Sequence, residues 1–420
     1  MSERSGTVDE NDPADLEPAV PTAYPLIAVL IIVIAGAPTT WLFPAEPGYL
    51  LAGGALGLVA VYGAIFTNVR LTTDGIFLAL FGGYWVGLLV HYHHAPHQEL
   101  LFYILSTPVA VVATVIVLPQ FVVGRPQTFA MALTTVATLL VLFGVSLVWL
   151  EHTTDAELPR WVGMDVMGYG EYRTVSIYNN PNPFGIVMMV GTLTAAYTYL
   201  TRRGPLWFGA LAICLLGFVL AEGDAGFVGF IVGFPILLSA IDRRLSIGAI
   251  GASVLAAYVG IRIGHVGEVM RTTFLGRVYR DVEKLERLSE NPMLGIGFGE
   301  DGILAYDPHN SFLHVPLAVG VIPGSLYVFS LLYALAKGLR ARWTPWTGYV
   351  VGTAAAMLIS MWFESLTLGG VSVTPVLLGL YVGLLLQLGR NDHGRPPEAD
   401  SLRSALRRSR VGRVVGRIRG

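Results

Sequence analysis

The sequence predicts an all-α fold, a polytopic bundle of about 12 transmembrane helices. Three observations predict it. Of 420 residues, 54% are hydrophobic and 13% charged, where a soluble domain carries about 25% charge. Apolar runs matching the ~20 residues that a bilayer-crossing helix needs recur from Tyr24 to Gln387. Lys and Arg crowd into alternate segments between those runs, the pattern left by insertion with cations kept on the cytoplasmic side. A mean hydropathy of +0.61 excludes an ordinary water-soluble enzyme or binding module.

Residues 1–23 form an acidic tail (Asp9, Glu10, Asp12, Asp15, Glu17) with no basic stretch before the first apolar run. That run therefore reads as a retained anchor rather than a cleaved signal. The transmembrane domain covers 24–389, with spans near 24–44, 48–67, 75–91, 100–123, 128–150, 183–200, 205–222, 225–240, 246–264, 311–336, 346–364 and 372–389. Residues 390–420 are a basic tail. One alternating set of segments holds Arg4, Arg70, Arg125, Arg202, Arg203, Arg243, Arg244, Lys337, Arg340, Arg342 and the Arg between Arg390 and Arg419, 19 of the 27 cations. The other set holds the remaining 8: Arg160, Arg173, Arg262, Arg271, Arg277, Arg280, Lys284 and Arg287. The richer set is assigned to the cytoplasm, which puts both termini inside and two long loops, 151–183 and 265–310, outside. The basic tail fits anionic lipid headgroups. With no aromatics interleaved among its Arg, it does not fit nucleic acid. A lone Cys214 within a span excludes an intrachain disulfide and a Cys-built metal site.

Loops of this length are usually functional or disordered, and the aromatic and aliphatic residues among their charges argue against disorder. In the second loop, Arg277–Glu290 has Val278, Val282, Leu285 and Leu288 on one helical face, with Arg277, Arg280, Lys284 and Arg287 as an adjoining cationic stripe. An amphipathic helix lying on the outer membrane surface is expected, ended by Asn291-Pro292. Gly295-Ile-Gly-Phe-Gly299 then allows positive φ, so its N–H groups either face an anion or form an ordinary turn. His309, between Pro308 and Asn310-Ser311, opens the next span. Imidazole accepts protons near neutral pH, so His309 is either a base or part of a helix cap. In the first loop Arg173 precedes Asn180-Pro181-Asn182, turn chemistry at the mouth of a span. His91, His93, His94 and His97 cluster in a short loop but lack the supporting Cys or carboxylates of a metal site. Asp224 and Glu364 read as interfacial acids.

In order along the chain, three segments resemble the O-antigen ligase and polymerase superfamily of membrane glycosyltransferases. Arg173-Thr-Val-Ser-Ile-Tyr-Asn-Asn-Pro-Asn-Pro-Phe-Gly185 is similar to the family's Arg…Asn-Pro-Asn segment before a span. Arg277 to Gly299 is similar to its Arg, amphipathic helix and Asn-Pro-x-x-Gly-x-Gly. His309-Asn310-Ser311-Phe312-Leu313, with Gly320 beyond, is similar to its His-Asn signature. The resemblance implies transfer or polymerisation of glycan from a polyprenyl-diphosphate carrier to a glycan or lipid acceptor, on the outer face of the cytoplasmic membrane, with no metal or other cofactor. It further implies His309, Arg277 and Arg173 as catalytic, and Arg280, Asn180, Asn182, Gly295, Gly297 and Asn310 as substrate-binding. A transporter or flippase of lipid-linked saccharide is the rival reading. It calls for ionisable residues deep in several spans, and the sequence places almost none there.

Overall fold

A computed structural model describes residues 23–66, 74–154, 161–162, 172–173, 175–221, 223–262, 264–298 and 309–388. Helices dominate: α1 (Ala23–Ile34), α2 (Ala45–Phe66), α3 (Gly75–His94), α4 (Gln98–Val111), α5 (Leu118–Val123), α6 (Pro126–Thr153), α7 (Pro181–Arg202), α8 (Pro205–Ala221), α9 (Asp224–Ser239), α10 (Arg243–Arg262), α11 (Gly264–Glu290), α12 (Ser311–Val319), α13 (Val321–Arg340), α14 (Pro345–Ser360) and α15 (Val373–Leu388). A π-helical stretch, Val112–Val117, joins α4 to α5. Among the described residues the one sheet is a short antiparallel pair, β1 (Trp161–Val162) with β2 (Tyr172–Arg173). The fold class is all-α.

Among the described residues, six helices are long and apolar enough to cross a membrane: Ala45–Ile65, Gly75–His94, Gln98–Val123, Pro126–Leu150, Pro181–Arg202 and Val321–Arg340. Several shorter apolar helices accompany them. Together they suggest an integral membrane protein, and the surface agrees. Leu50, Leu58 and Leu206 are 73–79% exposed, a cost of about 25 cal/mol per Å² in water that hydrocarbon would remove.

The interior is built on small residues, as expected where helices approach closely in lipid. A Cβ at Gly233 in α9 would lie 2.6 Å from the Gly352 carbonyl in α14, and one at Gly229 would lie 2.6 Å from the Ala356 carbonyl. Helix α7 is buried from Phe184 to Thr198. Its hydroxyls find partners across the bundle: Thr198 with Thr134 at 3.1 Å, and Thr194 with Tyr349 at 2.7 Å. Tyr349 in turn bonds Tyr381.

At one end of the bundle Asp74 caps α3, its Oδ1 accepting the Ile76 N–H at 3.0 Å. Its Oδ2 pairs with Lys337 and accepts the Tyr333 hydroxyl at 2.7 Å, tying the start of α3 to the end of α13. Burial pushes the Asp74 carboxyl up, but Lys337, Tyr333 and the Ile76 N–H outweigh it and bring it down to about 2. The opposite end of α3 carries His91, against Gly297.

Two elements depart from expectation. The expected single span 311–336 is two helices, α12 and α13, broken at Gly320 (φ +92). In a continuous helix the Leu317 carbonyl would accept the Val321 N–H. Here Leu317 accepts the Ile296 N–H and Val321 donates to the Pro292 carbonyl, both at 2.8 Å. The break thus stitches the Gly-rich turn into the bundle. The second departure is α11, which runs for 27 residues, Gly264–Glu290, where a helix over Arg277–Glu290 was expected. Val278, Val282 and Leu285 are 41–49% exposed, while Lys284 is buried. The exposed apolar residues suit contact with lipid, Leu288 packs partly buried against the core, and of the cationic stripe Lys284 turns inward while Arg287 stays exposed.

Candidate active site

His309 lies just before α12, and α12 is pinned by its first residue. The Ser311 N–H donates to the Met361 carbonyl at 2.8 Å; its hydroxyl donates to the Glu364 carbonyl at 2.8 Å and accepts the Leu366 N–H at 2.7 Å. These bonds lock the start of α12 to the turn after α14. The turn holds its own shape through the Glu364 N–H bond to the Ser360 carbonyl at 3.0 Å. The result places His309 Nδ1 3.6 Å from Glu364 Oε1, ion-pair distance when the ring is protonated. The two side chains are 28% and 13% exposed, so the pair sits at a boundary rather than in bulk water.

Asn310 stands at the N-cap of α12 in left-handed conformation (φ 70), with no side-chain capping bond. The expected cap is replaced by a contact to α11: the Asn310 side-chain amide donates to Asp281 Oδ2 at 2.9 Å. Its Oδ1 is buried with no hydrogen-bond partner among the described residues. One helical turn along α11, the Lys284 ammonium donates to the His309 carbonyl. Lys284 also lies 3.7 Å from Asp281 Oδ1 and is 2% exposed. His309, Asn310, Asp281, Lys284 and Glu364 therefore form one polar cluster at the end of an apolar bundle.

The same end gathers other expected residues without bringing them into this cluster. Asn180 caps α7, its Oδ1 accepting the Asn182 N–H at 2.8 Å. The preceding residues are strapped to the turn after α1: the Asn179 N–H donates to Thr39 at 2.9 Å, and the Trp41 indole to the Ser176 carbonyl at 2.9 Å. A Cβ on Gly185 would lie 3.0 Å from Gly223, so α7 begins against the start of α9. From there Ser360 donates to the Ala225 carbonyl at 2.8 Å and leads to Glu364. Asn180 and Asn182 thus reach the His309 cluster only through α9 and the end of α14, and the Asn180 side chain is engaged as a helix cap.

Gly295 and Gly297 are placed at the far end of α12 from His309, roughly 13 Å of helix away. Their positive φ values (69 and 80) serve packing. A Cβ on Gly295 would lie 2.2 Å from the Leu317 carbonyl, and one on Gly297 2.8 Å from His91 Nε2. The N–H of Gly295 is engaged with the Asn291 carbonyl at 2.8 Å, and that of Ile296 with Leu317. These are the bonds of a structural turn. An anion-binding nest needs such N–H groups directed at the ligand.

Arg280 lies on α11 beside Asp281 and is partly exposed. The side chains of Arg173 and Arg277 lie outside the described residues. Among the described residues, no three His, Cys, Asp or Glu gather to hold a metal. The His-rich loop disperses: His91 is buried beside Phe298, His93 and His94 meet edge to face, and His97 caps α4 by accepting the Glu99 N–H.

Sequence reasoning missed Lys284 and Asp281, which read as members of a solvated charge stripe, and took Glu364 for an interfacial acid. A signal was present. The chain has only two Lys, Lys284 and Lys337, and both sit in ion pairs with Asp. No protein-family model matches the sequence, and no curated protein matches it at a significant level.

Proposed function

We propose that the chain is a membrane glycosyltransferase that moves or polymerises a glycan from a polyprenyl-diphosphate carrier, with its site on the outer membrane face. The observation that carries this reading is the His309–Glu364 pair, 3.6 Å apart, at the mouth of an apolar helix bundle. A carboxylate beside an imidazole stabilises the imidazolium that forms when the ring takes a proton.

In the reaction, the oxygen of an acceptor hydroxyl attacks the anomeric carbon of the donor sugar. The bond from that carbon to the diphosphate oxygen breaks, the polyprenyl diphosphate leaves with the electron pair, and the hydroxyl proton passes to His309. Arg277 and Arg173, with Arg280 behind them, are assigned to the leaving diphosphate. Guanidinium offers bidentate bonds to phosphate oxygens, and such bonds gain strength where water is excluded. Asn310 is assigned to the acceptor side. A long lipid carrier must enter from the bilayer, which suits a site at the bundle's end.

The test uses purified protein in liposomes carrying lipid-diphosphate glycan extracted from the source membranes, without an energy supply. The reading expects glycan transfer and release of polyprenyl diphosphate, both lost in His309→Ala and Arg277→Ala. Translocation of the intact lipid-linked glycan with no transfer would sink it in favour of a flippase.

A further inference from the structure

Lys284 is the least expected group in the described chain. A buried ammonium is costly unless partners compensate it, yet this one is 2% exposed on a helix where Val278, Val282 and Leu285 are exposed. Its location explains it. Lys284 and Asp281 stand one turn apart on α11 and bind consecutive residues of the facing segment: Lys284 takes the backbone carbonyl of His309, and Asp281 takes the side-chain amide of Asn310.

The contact with Asp281 also fixes an orientation. A carboxylate only accepts hydrogen bonds, so Asn310 must present its NH₂ group to Asp281 and turn its Oδ1 away. That Oδ1 is buried and has no hydrogen-bond partner among the described residues. A buried acceptor left without a hydrogen bond is unfavourable, and Asn310 adds the strain of a left-handed conformation. Two unfavourable features at one residue are retained next to the candidate base, which is where strain tends to be functional.

We propose that Asp281 and Lys284 are positioning residues: they clamp the His309–Asn310 segment so that the imidazole faces Glu364 and the Asn310 Oδ1 stands ready to accept a hydrogen bond from a second hydroxyl of the incoming acceptor, the attacking hydroxyl keeping its one proton for His309. This rests on the glycosyltransferase reading. The clamp also makes α11 a mechanical link, because Arg277 precedes Asp281 by one turn of the same helix. Groups assigned to the donor diphosphate and groups that set the base then move as one body.

The test compares Lys284→Met, Asp281→Ala and Asp281→Asn with wild type, using the extracted lipid-diphosphate glycan as donor. In Lys284→Met and Asp281→Ala, kcat should fall about 10-fold or more with the donor KM within about 3-fold, as for a misplaced rather than a missing group. Asp281→Asn keeps an acceptor for Asn310 at the same length, so it should recover most of the loss. A normal kcat in Asp281→Ala, or a loss that Asn does not recover, overturns the clamp. Should Lys284→Met not fold, the Asp281 pair decides alone. A second readout needs no turnover: site-resolved acylation of His309 by diethyl pyrocarbonate. Both disruptive variants should raise its rate, and an unchanged rate counts against the clamp. Absence of transfer by wild type, with faster acylation in the variants, would reject the glycosyltransferase reading and leave the clamp standing.

Discussion

Substituting Gly320 by Ala tests the junction on which the α12–α13 break depends. Gly320 has φ +92 and ψ 164, a region almost reserved for glycine. An added Cβ would lie 2.1 Å from the Met293 carbonyl oxygen, well inside contact distance and against backbone rather than a movable side chain. Backbone strain costs about 1–3 kcal/mol. To relieve the clash, the 291–298 turn must shift, which weakens the Ile296–Leu317 and Val321–Pro292 bonds, each worth about 1 kcal/mol net. Against this, alanine reduces unfolded-state freedom by less than about 1 kcal/mol. The balance is a destabilisation of about 2–4 kcal/mol. In detergent micelles this should lower the melting temperature by about 2–5 °C, read by intrinsic fluorescence. Gly251, with nothing within 4 Å of an added Cβ in α10, is the control, and Gly251→Ala should melt at or above wild type. A Gly320→Ala protein that melts like wild type would refute the packing argument for the Gly-rich turn.

Other expectations follow from single contacts. Lys337→Met should destabilise by about 1–2 kcal/mol at neutral pH, after discounting for screening by solvent. Because the Asp74 carboxyl titrates at about 2, below its ordinary 3.8, its contribution is complete above that ordinary value and is lost as pH falls through 2. Melting curves of wild type and variant should therefore converge between about pH 4 and 2, and a constant gap would contradict the assignment. Ser311→Ala removes two bonds of a fully buried hydroxyl and strands the Leu366 N–H, at a cost of about 1–3 kcal/mol. Hydrogen exchange across 361–366 should rise while α7 stays protected. Glu364→Gln should lower kcat by about 10- to 100-fold with little change in donor KM, in a transfer assay.

The helices were legible because apolar length reports them directly; Pro181–Arg202 and Gln98–Val123 lie over the expected runs. The start of the site was legible too, since His309-Asn310-Ser311 carries helix-entry residues and Ser311 does pin α12. The burial of Lys284 was not. Periodicity placed it in one cationic stripe with Arg287, but only the packing of α11 against the His309 segment turns the one inward and leaves the other exposed. Nor could local sequence show that Leu317 trades its intrahelical N–H for one from Ile296. Pro316 and Gly320 are residue types at which a helix can break, yet the span was expected unbroken, and the partner that fills the break comes from a separate turn. The Asp74–Lys337 and His309–Glu364 pairs join residues far apart in the chain and became visible only once the helices were packed.

Single-turnover release of polyprenyl diphosphate is the most direct test of His309 as the base. Wild type and His309→Gln would be compared in the same liposomes, with matched melting temperatures and saturating extracted donor. The account predicts a loss of about 100-fold or more in His309→Gln, in keeping with removal of a general base. Equal rates in the two proteins would contradict it.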